Sequence, residues 1–451
     1  MAAKAQYAHR VQCNIEKLIY GGDGLARIPA SGDERRGKTV FVPYVLPGEL
    51  VEASIVEERK GFARAELTEV LRPATERVTP PCPHFGRCGG CSYQHATYAA
   101  QLELKRGILR ETVLRGSKIE LPEITVHAAE PWGFRNRTRI KIEITPEFAL
   151  GYYRNKSHEL EKVRECPISS PLINRAIAVC WEMAQDFAAY PVLREVQFFA
   201  NHDDSSLLVE LFVHHTAKPE SLAELAGLMR KRMAEIAGIA IFSGVAPAGE
   251  LEDGSLEASR QMQRAGAQVV GASHLMYKVN AQEYQVSAGS FFQTNRFLVP
   301  KLVELVTAGR SGRAAMDLFA GAGLFSLPLA RNFTRVVAVE IAPYSYSDLL
   351  ANAPMPQIQK VQSATEEYLS SARGSWDLVV VDPPRAGLGE RTAKALAALR
   401  TPRITYVSCD PATLARDLNP LLADGFKVEE AHLVDLFPQT YHLESVLHLA
   451  R

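Results

Sequence analysis

The chain has 451 residues, 47% hydrophobic and 23% charged, with 51 Lys and Arg matched by 51 Asp and Glu. Such a length and balance exclude a fibrous or disordered protein and allow about two to four folded domains, and a formal net charge of zero means that any affinity for nucleic acid must come from local patches. Apolar runs fall short of the ~20 residues that cross a bilayer. Met1 to Tyr20 carries scattered charges rather than a basic start followed by a hydrophobic segment, so a cytoplasmic monomer is expected.

From about His9 to Arg72 short β-type runs alternate with turn signals: Val11 to Ile15, Gly21-Gly22-Asp23-Gly24, Thr39 to Val42, Leu50 to Ile55 and Ala63 to Val70. This is the pattern of a small five-stranded barrel of the oligonucleotide-binding type, an architecture that many unrelated functions share.

Seven cysteines in so long a chain do not suggest a disulfide scaffold, but Cys82, Cys88 and Cys91 crowd together as Cys-x5-Cys-Gly-Gly-Cys. Clustered thiolates, with glycines that let the backbone wrap, suit a soft-metal site, and four thiolates suit iron–sulfur and zinc alike. Cys166, in Glu165-Cys166-Pro167, is the best fourth ligand, because Cys13 and Cys180 lie in segments that read as strand and helix core. The other reading is a set of reduced structural thiols.

Tyr98, Leu102, Leu109 and Val113 recur at helical spacing, which predicts a helix over 97–114. It is expected to pack on the catalytic domain. Ile124 to Tyr277 mixes strands and helices and reads as an α+β middle domain. Between Trp132 and Arg164 it holds eight basic residues against four acidic. Phe134-Arg135-Asn136-Arg137 interleaves an aromatic with guanidiniums, which suits phosphate contact and base stacking; a charged exposed strand is the simpler reading.

From about Phe291 strands and helices alternate, the signature of a doubly wound, largely parallel sheet. One strand runs into Asp317-Leu318-Phe319-Ala320-Gly321-Ala322-Gly323, a turn that lets a cofactor approach the backbone, and the next ends in Glu340, where a carboxylate can accept from two ribose hydroxyls. With Asp382-Pro383-Pro384-Arg385 closing a later strand and no full three-glycine fingerprint, S-adenosylmethionine is favoured over a dinucleotide. Ser408-Cys409-Asp410-Pro411 closes another strand, so Cys409 is a candidate nucleophile at the carboxyl edge of the sheet.

Taken in order, the barrel, the cysteine cluster, Ser290-Phe291-Phe292-Gln293-Thr294-Asn295, the glycine turn, Asp-Pro-Pro-Arg, Ser408 to Asp417 and His442-Leu443-Glu444-Ser445-Val446 resemble the RNA 5-methyluridine methyltransferases over nearly the whole chain. Members with both a TRAM barrel and a four-iron cluster look most like the 23S ribosomal RNA enzymes. The resemblance implies a class I S-adenosylmethionine-dependent methyltransferase fold with a TRAM-like barrel at 1–80, a central RNA-binding and iron–sulfur domain at 81–285 and a methyltransferase domain at 286–451. It implies Cys409 as the thiolate that adds to uracil C6 and Glu444 as the base that removes the C5 proton. Gln293, Phe319, Gly321, Gly323, Glu340 and Asp382 would bind S-adenosylmethionine, a [4Fe-4S] cluster would sit on Cys82, Cys88, Cys91 and Cys166, and Arg385 would position uracil or its phosphate. RNA is the implied partner, with no membrane.

Four positions depart from the pattern. Ala320 replaces a cysteine, Leu324 replaces an asparagine, Asp410 stands where asparagine is frequent, and the loop through Ala351 to Pro356 looks short. Competing readings are a transfer RNA uracil-5 methyltransferase and a non-catalytic iron–sulfur RNA-binding protein. An amino-group methyltransferase is disfavoured, because Arg385 occupies the place of its stacking aromatic and Cys409 would be idle.

Overall fold

The computed structural model describes residues 9–28, 37–214, 217–243 and 267–451. The chain divides into two units, Met1–Thr112 with Phe437–His442, and Val113–Leu436 with Leu443–Arg451.

In the first unit β1 (Arg10–Leu18), β2 (Gly24–Ile28), β3 (Lys38–Val42), β4 (Leu50–Glu58) and β5 (Phe62–Arg72) close into a barrel in the order β1-β2-β3-β5-β4. Alternation along β4 sends Val51, Ala53 and Ile55 inward, each at most 2% exposed, and β1 buries Cys13 and Ile15. A period of two with one face covered is what the sequence runs require. A loop carrying three cysteines follows, and then the helix Tyr98–Ser117. The last turn of that helix belongs to the second unit, where a Cβ on Gly116 would sit 2.6 Å from the Ala415 Cβ of the helix Pro411–Ala423.

The second unit holds two large sheets. One has seven strands, among them β7 (Arg137–Glu143), β10 (Leu193–Ala200), β11 (Leu207–Val213) and β12 (Ile236–Ser243). The helix Pro171–Glu182 packs on it, buries Ile173, Ile177 and Cys180, and is started by Pro171 in its first turn and by Ser170, whose Oγ accepts from Ile173 N at 3.4 Å.

The other sheet has eight strands in the order β18-β17-β16-β19-β20-β22-β21-β6. They are β6 (Ile124–His127), β16 (Gly312–Leu318), β17 (Phe333–Glu340), β18 (Ile358–Gln362), β19 (Leu378–Val381), β20 (Arg403–Ser408), β21 (Lys427–Val434) and β22 (Glu444–Ala450). From β18 to β20 all pairs are parallel, and β22 enters antiparallel between β20 and β21. All four residues of β19 are buried, as helix-covered parallel strands require. Because β17 lies on one side of β16 and β19 on the other, the strand order reverses there, and the carboxyl ends of those strands form the crevice where such sheets bind ligands.

β6 pairs parallel with β21, Ala431 against Ile124 through Val434 against His127, so this sheet takes in a strand from the central stretch. One sequence expectation changes. Phe134 is fully buried, so it offers no face to a base, and Nε and Nη2 of Arg137 are enclosed, with its guanidinium carbon 4.1 Å from the Phe199 ring centroid. Arg137 Nη1 donates to the Ser290 carbonyl. Arg137 thus serves the Ser290 segment rather than solvent, whereas Arg139, two residues on along the same strand, is exposed.

Candidate active site

Phe319, directly after β16, adopts φ 63°, a left-handed conformation that costs a side-chain-bearing residue roughly 1–2 kcal/mol and is held by its surroundings. Ala320 N donates to Val339 O at 3.0 Å, and Gly323 N to Ala320 O at 2.8 Å, which closes the turn. The two glycines serve different needs. A Cβ on Gly321 (φ 55°) would meet nothing within 4 Å, so that side of the turn is open to a ligand, whereas one on Gly323 (φ 91°) would lie 2.8 Å from Leu327 Cδ1 and 3.0 Å from Leu349 Cδ1. The second glycine therefore lets the following segments close on the turn.

Glu340 ends β17 beside this turn. Its Oε2 accepts from Gly321 N at 2.8 Å and its Oε1 from Ala342 N at 2.6 Å. Burial pushes its pKa up, against those two amides. Each oxygen keeps a lone pair, which fits a carboxylate placed to accept from ribose hydroxyls. Asp382, directly after β19, donates from its amide to Leu318 O at 3.4 Å and accepts at Oδ2 from Gln293 Nε2 at 3.4 Å. Burial raises its pKa to about 7.

Cys409 follows β20 and Glu444 begins β22. These strands are neighbours, with Ser408 paired to Ser445, so the thiol and the carboxylate stand at adjoining strand ends although 35 residues apart in sequence. Glu444 is 3% exposed, and burial first, then the nearby Asp382, push its pKa well above the ordinary carboxylate value, with Arg385 opposing. The half-buried Cys409 thiol is likewise pushed up by burial, then by Glu444 and Asp382, again against Arg385. A thiol and two carboxylates thus compete for charge at one sheet edge, the setting in which acid–base roles separate.

Asp410 caps the helix Pro411–Ala423, with Oδ1 accepting from Ala412 N and Thr413 N at 2.9 Å each. Aspartate caps as well as asparagine, which explains the departure there. Leu324 is buried, and its carbonyl accepts from Tyr284 Oη at 3.0 Å.

Sequence reading missed two residues on the helix Pro343–Asn352. Asp348, fully buried, accepts from Ser287 N at 2.8 Å, Ser287 Oγ and Ser290 Oγ at 2.5 Å each, and Gln285 Nε2 at 3.2 Å. The side chain of Asn352, one turn on, accepts at Oδ1 from Gln285 N at 2.7 Å and donates from Nδ2 to Gln285 O at 2.9 Å and to Ala322 O at 3.0 Å. Together they anchor the approach to Gln293 and the glycine turn from one helix face. The signal available was two polar residues at i and i+4 on the face that also carries the buried Leu349.

None of the seven cysteines is disulfide-bonded. Cys82, Cys88 and Cys91, all half-buried, share a loop in which Cys88 N donates to His84 O at 2.9 Å and Gly90 N points at Cys88 Sγ at 3.4 Å. Three thiols on one tight loop, one of them facing an amide, fit thiolate ligation of a soft metal or cluster. Cys166 is a half-buried residue of the second unit, its amide donating to Asn174 Oδ1 at 2.8 Å.

A doubly wound sheet whose switch point carries a glycine turn, a strand-end glutamate and a neighbouring thiol defines a group-transfer enzyme with a nucleoside cofactor. The chain belongs to the tRNA (uracil-5-)-methyltransferase family, whose pattern matches residues 97–375 and 369–451, and the TRAM domain pattern matches residues 10–68. It is an RNA uracil-5 methyltransferase that uses S-adenosylmethionine. Similar proteins include an uncharacterized RNA methyltransferase of Aquifex aeolicus, 32% identical with 97% of each chain covered. The 23S rRNA (uracil(1939)-C(5))-methyltransferase RlmD of Chromohalobacter salexigens is 31% identical, covering 97% of this chain and 89% of the relative. Among solved structures, the Pyrococcus abyssi tRNA (uracil-54, C5)-methyltransferase in complex with S-adenosyl-L-homocysteine aligns with a TM-score of 0.74 at 22% identity, covering 98% of this chain and all of that one, which shows a common fold. Among the described residues no helix is long and apolar enough to cross a membrane.

Proposed function

We propose that the protein methylates C5 of a uridine in 23S ribosomal RNA through a covalent adduct at Cys409, with Glu444 as the base that completes turnover. The observation that carries this reading is the pairing of Ser408 with Ser445, which sets a thiol beside a buried, high-pKa carboxylate at the ligand-binding edge of the sheet.

Uracil C5 is too weak a nucleophile to take a methyl group unaided. Cys409 gives up its thiol proton to solvent, its Sγ bonds to C6 and the C5–C6 electron pair moves toward the O4 carbonyl; bound S-adenosylmethionine would supply the methyl group that C5 of this enolate takes, with S-adenosylhomocysteine as the leaving group. Glu444 then accepts the C5 proton, the C5–C6 double bond re-forms and Sγ leaves C6. The raised pKa of Glu444 makes its ionised form a stronger base than an exposed carboxylate. The same like-charge crowding holds Cys409 as a thiol at rest. Positive charge brought near Asp382 would lower all three values together, which supports cofactor binding ahead of thiolate attack.

Gln293, Phe319, Gly321, Gly323, Glu340 and Asp382 would hold the cofactor, with Glu340 on its ribose, and Arg385 would meet the substrate. The buried Leu324 and the role of Asn352 support a glycine turn held by packing and by a side chain from elsewhere, in place of the usual asparagine. Cys82, Cys88 and Cys91, with Cys166 as the fourth thiolate expected from the sequence, would ligate a [4Fe-4S] cluster, which supplies structural order. The barrel at 1–80 and the middle region within 81–285 would engage RNA, the region within 286–451 would perform the transfer, and the protein would act as a cytoplasmic monomer.

The test is to map 5-methyluridine in total RNA from a deletion strain. Loss from 23S ribosomal RNA with restoration by the wild-type chain is expected; loss confined to transfer RNA would overturn the ribosomal assignment, and no loss in either would overturn the activity.

A further inference from the structure

We infer that Glu430, His432 and His448 form a binding site for a first-row divalent cation of the zinc, cobalt and nickel class, with His127 and Thr405 orienting the two imidazoles. The site lies on the eight-stranded sheet, on strands whose far end carries Glu444. His448 is four residues beyond Glu444 on β22, roughly 13 Å along the strand at about 3.4 Å per residue, so this site is separate from the transfer chemistry.

Sheet register brings the donors together. Glu430 is paired with His448 across β21 and β22, directly after an irregularity between Val428 and Glu430, and His432, two residues on, shares the face of Glu430. One ligand atom from each of the three lies within 4.8 Å of the other two. His432 Nε2 is 3.5 Å from Glu430 Oε2. Two ligands at ~2.0–2.1 Å on a tetrahedral ion stand roughly 3.3 Å apart, so this pair already has the separation an ion needs.

Each histidine also has its second nitrogen engaged. His432 Nδ1 is 3.2 Å from His127 Nε2 on β6, and His448 Nδ1 is 3.0 Å from Thr405 Oγ1, the residue paired with it on β20. Such partners orient the two rings, the arrangement that metal-binding imidazoles share, and the hydrogen bond of the His448 ring with the Leu305 main chain gives way when an ion binds. Burial is graded, with the His448 residue 4% exposed and the Glu430 side chain 54%, which provides an entry path. Arg310 Nη2, 3.8 Å from Glu430 Oε1, opposes a cation and would tilt away on binding. Two histidines and a glutamate leave a fourth position for water or a substrate atom.

The test titrates the chelator-treated, full-length protein with Co²⁺ alone, followed by calorimetry and by absorption. One ion per chain is expected beyond any taken by the cysteine loop, with weak visible bands of its own, while the intense near-ultraviolet charge transfer of thiolate ligands marks the cysteines separately. His432→Ala should weaken binding at least tenfold. Glu430→Gln, at an exposed position that does not endanger folding, should do the same, and Thr405→Val should weaken it about tenfold through the outer contact. No Co²⁺ binding by the wild type, binding with thiolate charge transfer alone, or undiminished affinity in both His432→Ala and Glu430→Gln would overturn the site.

Discussion

Glu444→Gln should separate the two halves of the proposed reaction. The replacement keeps shape and burial but removes the charge that Glu444 places beside Cys409 and Asp382. Loss of a positioned base costs typically 10² to 10⁴ in rate, about 3–5 kcal/mol of barrier, and here it would fall on proton removal after methylation. Earlier steps should proceed at least as fast, because one of the carboxylates that holds the Cys409 thiol protonated is gone. The enzyme should therefore stall as methylated RNA joined to Cys409. The assay is a single turnover with uridine-containing RNA and radiolabelled S-adenosylmethionine, resolved on a denaturing gel. Label should co-migrate with protein in the Glu444 variant, appear only briefly in the wild type, and be absent with Cys409→Ala, which should transfer no methyl group. A Glu444→Gln enzyme that turns over within tenfold of the wild type and accumulates no adduct would move the base to another residue, and turnover by Cys409→Ala would end the covalent mechanism.

Three further outcomes are expected. Burial raises the Asp317 pKa from 3.8 to about 7, so the folded state holds its proton more tightly than the unfolded chain. The associated stability is complete below about pH 4 and is lost as pH rises toward 7, by at most roughly 4 kcal/mol. Asp317→Asn should accordingly gain melting temperature relative to the wild type across that window and hold a constant difference above it; a pH-independent difference refutes the assignment. Gly323→Ala combines a left-handed backbone with contacts of 2.8 and 3.0 Å to Leu327 and Leu349, and should lower stability by about 2 kcal/mol or more and weaken S-adenosylmethionine binding, measurable by denaturant midpoint and calorimetry. Protein purified without oxygen should contain four iron and four sulfide per chain and lose both with Cys88→Ser, whereas one zinc and no sulfide would refute the cluster.

Read by itself, the sequence determined what contiguous residues can specify. Strand–turn–helix signals around Asp317 to Gly323, Leu378 to Arg385 and Ile404 to Asp410 are local, because a hydrophobic run and the turn that ends it are adjacent in the chain. They sufficed for a doubly wound sheet, and the short β-type runs from Val11 to Val70 sufficed for the five-stranded barrel before it. Tertiary structure alone decided which residues meet. Glu444 stands beside Cys409 because β22 inserts antiparallel next to β20, a choice that depends on non-local pairing. Asp348 and Asn352 became anchors only once their helix lay over β15 (Gln282–Ser287), through bonds to residues more than 60 positions away. The stretch from Phe134 to Arg137 suits phosphate contact and base stacking as a sequence, yet Phe134 is buried and Nε and Nη2 of Arg137 are enclosed, since the pattern of one strand does not state what covers its face. The histidines of β6, β21 and β22 are scattered through the sequence as single polar residues; the sheet register sets them on neighbouring strands, each stepped two residues from the next.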